Sequence, residues 1–257
     1  MAKWTAFPHD PAPYTHDAAS LKKHWARLHQ GDAEPLPKDA AALAAWAAFH
    51  AGDFQKAVEA GLKAGGSGLT AANKAQAIYA TYLEKSEKNR LALFQEVAQR
   101  AEAQAAAEPG NANAHYLLAY ALGRYSQGIS VAKALSQGLG AKVKGALERA
   151  IELNPKHADA HIGLGTFHAE VIDKVGSLLG RTQGASKEAG LNAFKTALKL
   201  NPHSAIARVE YANGLVMLEG DKKMKEATKL YEEAAACEPA DAMERLDVEM
   251  AQAELED

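Results

Sequence analysis

Cysteine and long apolar runs are scarce in this chain of 257 residues. The single cysteine, Cys237, excludes an intramolecular disulfide and fits a reducing compartment. No stretch approaches the ~18 consecutive apolar residues that a membrane-spanning helix needs. The first residues also lack a basic segment followed by an apolar run, which is the pattern of a signal peptide. From these absences we expect a soluble protein of the cytoplasm with no membrane span.

β-branched residues are also few. The chain holds 6 isoleucines and 9 valines, whereas 57 of its 257 residues are alanine. Strands favour β-branched side chains, and alanine has the highest helix propensity. The composition therefore predicts an all-α fold.

Strong charge of one sign is missing as well. The 29 basic residues nearly balance the 32 acidic ones, and the net charge is −3. The acidic surplus is concentrated in residues 240–257, which hold seven acidic residues and one basic residue, Arg245. Nucleic-acid binding needs a strongly positive surface, so we expect no nucleic-acid partner.

A helix that stops at proline occurs several times in the sequence. The segments 147–155, 194–202 and 231–239 each end an amphipathic helix in Asn-Pro or Glu-Pro, and the residue before a proline is disfavoured in a helix. A short turn and a second helix that begins with alternating alanines follow the first two segments, as at Ala158 and Ala205. The sequence thus predicts a repeated helix–turn–helix unit.

These units resemble the tetratricopeptide repeat family. The matching residues of two units are Leu164, Gly165, Phe194, Ala197 and Pro202, followed by Tyr211, Ala212, Ala227, Tyr231, Ala234 and Pro239. The resemblance implies a right-handed α-solenoid of antiparallel helix pairs over residues 38–240. Small residues in such a solenoid let the helices approach closely, and large ones fill the neighbouring holes.

Two of the units are longer than the family's standard repeat of about 34 residues. Prolines at 109, 155, 202 and 239 place the surplus at residues 125–141 and 171–187, between the two helices of each unit. Lengthened repeats of this kind are similar to those of TatT-type proteins and of the regulator of microtubule dynamics family. We expect the first helix of the second long unit to continue for two more turns, because Val171, Val175 and Leu179 recur at helical spacing.

The two ends of the chain differ from the repeats. Residues 1–37 hold five prolines and predict an arm with a short helix at 17–30 that caps the first repeat. Residues 241–257 predict a capping helix that starts at Asp241 and Glu244. We expect its acidic face to form the polar outer surface that a terminal repeat needs.

Sequence signatures of catalysis are absent, including phosphate-binding glycine loops, His-Glu-x-x-His and paired cysteines. The nearest approach to a ligand set is His161, His168 and Glu170, because histidines seven residues apart lie on one helix face. The two histidines also occupy repeat positions that the family fills with packing aromatics, which is the interpretation we adopt. We expect no enzyme activity, no metal and no cofactor.

In the repeat family, peptides lie along the concave groove formed by the first helix of each unit. Carried over position by position, the candidate partner-binding residues are Trp46, Phe49, Tyr116, Tyr120, Arg124, Thr166, Glu170 and Asn213. The groove is apolar and aromatic with a few polar groups. It lacks the Lys and Asn clamp with which chaperone-tail binders of the family hold a terminal carboxylate.

Two functional hypotheses follow from this groove. The first is a non-catalytic scaffold or adaptor that binds a protein or peptide on the concave face. The second is a small-molecule binding module whose cavity is enclosed by the insertions at 125–141 and 171–187. A third possibility is that the insertions and the arm fold over the groove and turn it into core.

Overall fold

The computed structural model describes residues 4–256, which contain thirteen α-helices and no strand. The helices are α1 (Ala18–Leu28), α2 (Ala40–His50), α3 (Phe54–Ala64), α4 (Gly68–Tyr82), α5 (Glu87–Ala107), α6 (Ala112–Gln127), α7 (Val131–Ser136), α8 (Leu139–Leu153), α9 (Ala158–Thr182), α10 (Lys187–Leu200), α11 (Ala205–Glu219), α12 (Met224–Ala235) and α13 (Ala242–Glu256). The prediction of an all-α fold is confirmed.

The helices begin and end where the local sequence dictates. Ser204 starts α11 by accepting a hydrogen bond from the backbone N–H of Ala207 at 3.1 Å. Asn154 and Asn201, each followed by proline, end α8 and α10 with a backbone outside the helical region, at φ of −142° and −130°. The Asn-Pro pairs therefore act as the helix terminators that the sequence predicts.

The helices pack as two layers of antiparallel neighbours. The inner layer consists of α2, α4, α6, α9, α11 and α13, which we call the A helices, and the outer layer consists of α3, α5, α8, α10 and α12, the B helices. Each A helix except α13 contacts the B helix that follows it in the chain, and consecutive A helices contact one another. This arrangement is the tetratricopeptide-like solenoid that the repeat pattern predicts.

Phe194 of α10 shows why the repeat needs small residues. Its fully buried ring lies between Gly165 of α9 and Gly214 of α11. A Cβ atom would come within 2.7 Å of the ring at Gly165 and within 2.4 Å at Gly214. One B helix can insert its aromatic ring between two A helices only because both positions are glycine.

The two insertions extend the solenoid at one end of the A helices. The first forms α7 and a turn at Gly138, which has a φ of 63°. The second lengthens α9 as far as Thr182, with a break at Gly176, where φ is 77°. Glycine adopts this backbone conformation without the steric cost that a side chain would add. The predicted extension of α9 is therefore present but bends at Gly176.

The N-terminal arm lies across the inner layer instead of capping only the first repeat. Its helix α1 buries Leu21 and Trp25 against α2, where the Trp25 and Trp46 rings meet at right angles. The segment 29–34 then runs past the A helices, and the backbone N–H of Asp159 donates to the carbonyl of Gly31 at 3.0 Å. The arm thus contacts repeats that are distant from it in sequence.

The last A helix, α13, returns to the first one and contacts α2. Arg27 of the arm joins it through two hydrogen bonds to the carboxylate of Glu244, at 2.7 and 2.8 Å. Asp241 and Asp247 are 1% and 3% exposed. The prediction that the acidic face of this helix points to solvent is therefore wrong for these three carboxylates, because the arm, α2 and α4 cover them.

Within residues 4–256, no helix combines the length and the apolar character that crossing a bilayer requires.

Candidate functional site

A cavity of about 280 Å³ lies on the inner layer of the solenoid. Its walls come from α4, α6, α9, α11 and α13, from the arm, and from both insertions. The lining residues of α9 run from Asp159 to Val175. Because a helix rises ~1.5 Å per residue, the cavity follows this helix for about 24 Å. The site is an elongated slot.

The middle of the slot has a polar wall built from three A helices. Arg124 of α6 donates to Glu210 of α11 at 3.1 Å, and Thr166 of α9 donates to the other carboxylate oxygen of Glu210 at 3.1 Å. The Arg124 guanidinium also lies over the ring of Tyr120, 5.4 Å from its centre. Tyr120 in turn exchanges a 2.8 Å hydrogen bond with Thr81 of α4. These contacts fix the spacing of the A helices around the cavity.

The end of the slot near the insertions is mostly apolar. The first insertion contributes Ile129, Val131, Ala134, Leu135 and Leu139, and α9 contributes Phe167, Val171 and Val175. Lys174 also lies here and forms an ion pair with Glu170 at 3.3 Å. Each insertion therefore supplies wall residues, as the second functional hypothesis requires.

The opposite end of α9 faces the arm and carries buried charge. Lys74 of α4 forms an ion pair with Asp32 of the arm at 2.5 Å and lies 4.0 Å from the Asp159 carboxylate. Burial raises the pKa of Asp159 to about 6, although the attraction of Lys74 opposes this shift. Lys74 is therefore shared between Asp32, its closer partner, and Asp159.

Asp247 of α13 is a second carboxyl group on this part of the wall. It accepts a hydrogen bond from the Tyr82 hydroxyl. Burial raises its pKa to about 8, and negative charge on Glu244, Asp241 and Asp159 adds to the shift. Among the described residues no cation lies within ion-pair distance of Asp247.

Behind the cavity wall, a chain of buried side chains joins the arm to α13. Asp241 hydrogen-bonds to Nδ1 of His50 at 2.7 Å, Nε2 of His50 meets Nε2 of His29 at 3.2 Å, and Nδ1 of His29 meets Asp32 at 2.9 Å. Both histidines are at most 3% exposed. The chain therefore runs from α13 through α2 into the arm without contact with solvent.

The contacts along this chain shift the pKa values of its carboxyl groups. Although burial opposes the change, the charge of Lys74 and the contact with His29 hold the pKa of Asp32 well below its usual range. The hydrogen bond with His50 likewise lowers the pKa of Asp241 against the effect of burial. Burial lowers the pKa of His29 to about 4, despite the attraction of Asp32. Both buried carboxyl groups therefore stay ionised, because each has close hydrogen-bonding partners.

The structure brings five of the eight sequence-predicted partner residues together. Tyr116, Tyr120, Arg124, Thr166 and Glu170 all line the cavity. Their spacing along α6 and α9 follows the groove positions of the repeat family, and this pattern found them. We therefore build the proposed site on these five residues.

The other three predicted residues lie elsewhere. Trp46 and Phe49 are fully buried, and Trp25 and His29 of the arm contact the Trp46 ring. Asn213 accepts a 2.5 Å hydrogen bond from the Tyr231 hydroxyl and does not line the cavity. Their roles in binding stay predictions and do not enter the proposed site.

Sequence reasoning missed the charged residues at the arm end of the cavity. The sequence does not distinguish Lys74, because α4, in which residues 70–80 are all buried, also carries the polar residues Asn73 and Gln76 close to it. Asp159, Glu210 and Asp247 have no distinguishing pattern either, because each looks like an ordinary surface residue of an amphipathic helix. Their importance follows from the path of the arm and of α13.

The histidines considered as ligands make local contacts. His168 is 4% exposed, and its Nδ1 accepts a hydrogen bond from the backbone N–H of Ser186 at 3.2 Å. His161 lies 3.2 Å from the carbonyl of Pro155. In residues 4–256 no group of three or more His, Cys, Asp or Glu side chains is arranged to hold a metal ion.

A solved structure shares this fold. It is a thermophilic tetratricopeptide repeat protein from Thermus thermophilus, with 17% identity and a TM-score of 0.59. The alignment covers 83% of this chain and 97% of that one. At this identity the likeness shows the fold alone. A search of the curated proteins found no match.

A family model covers most of the solenoid. The model of the regulator of microtubule dynamics proteins 1–3 matches residues 69–257, from the beginning of α4 through both lengthened repeats to α13. The matched region includes the insertions that distinguish this chain from a standard repeat solenoid. The chain belongs to the regulator of microtubule dynamics protein 1–3 family.

Proposed function

We propose that this protein is a non-catalytic helical binding module that takes a small, elongated apolar molecule into the cavity of its inner layer. The observation that carries the proposal is the slot itself, which is lined by both insertions and runs beside α9. Ligand sites are typically apolar concavities with a few convergent polar groups. Tyr116, Tyr120 and Thr166 would contact the ligand, and Arg124 and Glu170 would hold the polar wall in place.

The path of the arm favours a small ligand over a long peptide. A peptide that follows the groove of a repeat solenoid needs the inner faces of several consecutive A helices. Here Trp25 and His29 of the arm pack on Trp46 of α2, and the arm residue Asp32 forms an ion pair with Lys74 on α4. The open part of the groove begins only at the cavity.

The tetratricopeptide-like frame also suits a scaffold or adaptor role. A family named for the regulation of microtubule dynamics implies a protein partner. An adaptor that inserts a short apolar peptide end into this cavity would lose its partner in a Tyr116→Ala/Tyr120→Ala variant that remains folded. If this folded variant still captured the partner in full, the adaptor surface would lie elsewhere on the molecule.

The test is isothermal titration calorimetry with 1-octanol, an apolar probe of simple shape. A Val175→Trp variant fills the apolar end of the slot, and Val216→Trp is the matched control, because Val216 is another half-buried valine on an A helix but lies outside the cavity. We expect 1:1 binding to the native protein, at least about tenfold weaker binding to Val175→Trp, and native affinity in Val216→Trp.

Native mass spectrometry of the purified protein complements the titration, because a retained ligand adds its mass to the chain. The proposal is overturned if octanol does not bind, or if both tryptophan variants bind it equally well.

A further inference from the structure

The cavity also indicates the chemical class of its ligand. Resting on the proposed function, we propose that the molecule it takes is an apolar chain that ends in a protonated amine, with the amine held by Asp159 and Asp247 and the chain directed toward the insertions.

The balance of charge on the cavity wall carries this inference. The wall holds three cations, and each is already paired: Lys74 with Asp32, Arg124 with Glu210, and Lys174 with Glu170. It also holds three further carboxyl groups, of which Glu244 is paired with Arg27 from outside the cavity. Asp159 shares Lys74 with Asp32, at 4.0 Å, and among the described residues no cation lies within ion-pair distance of Asp247. A ligand anion would therefore meet only cations that are already engaged, whereas a ligand cation would meet one carboxyl group that shares its cation and one that has none.

The positions of these two carboxyl groups set the direction of the ligand. Asp159 stands at the first turn of α9, and Val171 and Val175 stand three to four turns further along the same helix. Asp247 lies near the arm, because it is one helical turn from Glu244, which forms an ion pair with Arg27 of the arm. The slot is thus acidic at the arm end and apolar at the insertion end, and an amphiphilic cation matches both ends.

The arrangement of these carboxyl groups has a measurable consequence. Asp247 is faced by Tyr82 of α4, Asp159 of α9, and Glu244 and Asp241 of its own helix and cap. These neighbours and burial raise its pKa to about 8, so the carboxyl group keeps its proton near neutral pH until a cation arrives. Binding of an ammonium group would release that proton to the solvent.

The experiment compares three probes with the same alkyl chain: octylamine, 1-octanol and sodium octanoate. Octylamine remains protonated at pH 7, because an alkylammonium ion has a pKa close to that of lysine, about 10.4. We expect octylamine to bind about tenfold more tightly than octanol, and octanoate to bind more weakly than either. We also expect the calorimetric enthalpy of octylamine binding to depend on the ionisation enthalpy of the buffer, because a proton is released.

The matched variants are Asp247→Asn, which keeps an oxygen acceptor for Tyr82, and Glu254→Gln, which removes an exposed carboxylate from the same helix outside the cavity. We expect Asp247→Asn to lose most of the preference for octylamine over octanol, a ratio of two affinities measured on the same variant. Glu254→Gln should behave as the native protein does. Circular dichroism verifies that both variants are folded.

The outcomes separate the two proposals. If octanol binds but octanoate binds as tightly as octylamine, the assignment of the amine is overturned and the proposed function survives. An unchanged preference for octylamine in Asp247→Asn also overturns the assignment. If none of the three probes binds, both proposals are overturned.

Discussion

Glycine at the contact between helices is the residue-scale requirement of this fold. Gly165 and Gly214 leave room for the Phe194 ring on both of its sides. The ring has no direction in which to move away from an added methyl group, because it is held between two A helices. Close packing in a core makes such additions costly.

A Gly214→Ala substitution should therefore lower the free energy of unfolding by about 1–3 kcal/mol. Gly145→Ala is the control, because Gly145 is an exposed residue in the middle of α8 with open space around it. Alanine there should raise the free energy of unfolding by about 0.5–1 kcal/mol, since it restricts the unfolded chain and favours helix. Urea denaturation measures both. Equal effects at the two sites would contradict the packing account.

Asp247 gives a pH-dependent prediction at the same scale. Its pKa is raised to about 8 in the folded protein, so the folded state binds the proton more tightly than the unfolded chain does. The stabilisation is complete below the ordinary pKa of an aspartate and is lost as the pH rises toward about 8. Lowered pKa values at His29 and His157 affect stability only at more acidic pH.

Between about pH 6.5 and pH 8, the native protein should therefore lose more stability than an Asp247→Asn variant, by up to about 2 kcal/mol, the limit for one proton. Denaturant titrations at several pH values give the two profiles. Parallel profiles would show that Asp247 is already ionised in the folded protein.

At the scale of elements, the arm and α13 are joined by a buried chain of hydrogen-bonded side chains that connects Asp241, His50, His29 and Asp32. Asp241 caps α13 by accepting a hydrogen bond from the backbone N–H of Glu244 at 2.8 Å, and its other carboxylate oxygen lies 2.7 Å from Nδ1 of His50. The cap needs only one oxygen acceptor, whereas the contact with His50 needs the second oxygen of the carboxylate. The two roles can be separated by one substitution.

We expect Asp241→Asn to keep the cap and to lower the free energy of unfolding by about 1–3 kcal/mol, because the amide nitrogen that replaces the second carboxylate oxygen cannot accept the hydrogen bond from Nδ1 of the buried His50. Hydrogen exchange should accelerate in α1 and at the start of α13. Asp39→Asn is the matched control, since Asp39 caps α2 but is exposed, and it should change stability by less than about 0.5 kcal/mol. Similar losses in the two variants would contradict the role of the buried hydrogen-bonded chain.

The elements differ in how well the sequence predicts them. The repeats were predictable, because Asn-Pro terminators and the spacing of Gly165, Phe194 and Ala197 are set by contacts between neighbouring helices. The path of the arm was not, because its contacts join residues far apart in the chain, such as Asp32 and Lys74. For the same reason the pattern located Tyr116 and Tyr120 on the cavity wall but missed Asp247. Local periodicity predicts which face of its helix a residue occupies, but it does not predict which distant segment of the chain packs on that face.

At the scale of the whole molecule, the contact of α13 with α2 and the path of the arm limit the inner groove to a single slot. A solenoid with free ends exposes its concave face along its full length, which suits extended peptides. Here the covered part near α2 is core, and the part beside α9 is cavity. The insertions, which lengthen only two repeats, form the apolar end of that cavity.

The most direct test of this account is where an apolar probe binds. Nuclear Overhauser effects between isotope-labelled protein and unlabelled 1-octanol identify the methyl groups that the probe contacts. The account predicts contacts to Ile162, Val171 and Val175 inside the slot. The account would be contradicted if the probe contacted only Leu178 and Leu179, which are 79% and 58% exposed on the second insertion. It would also be contradicted if the probe made no contacts at all.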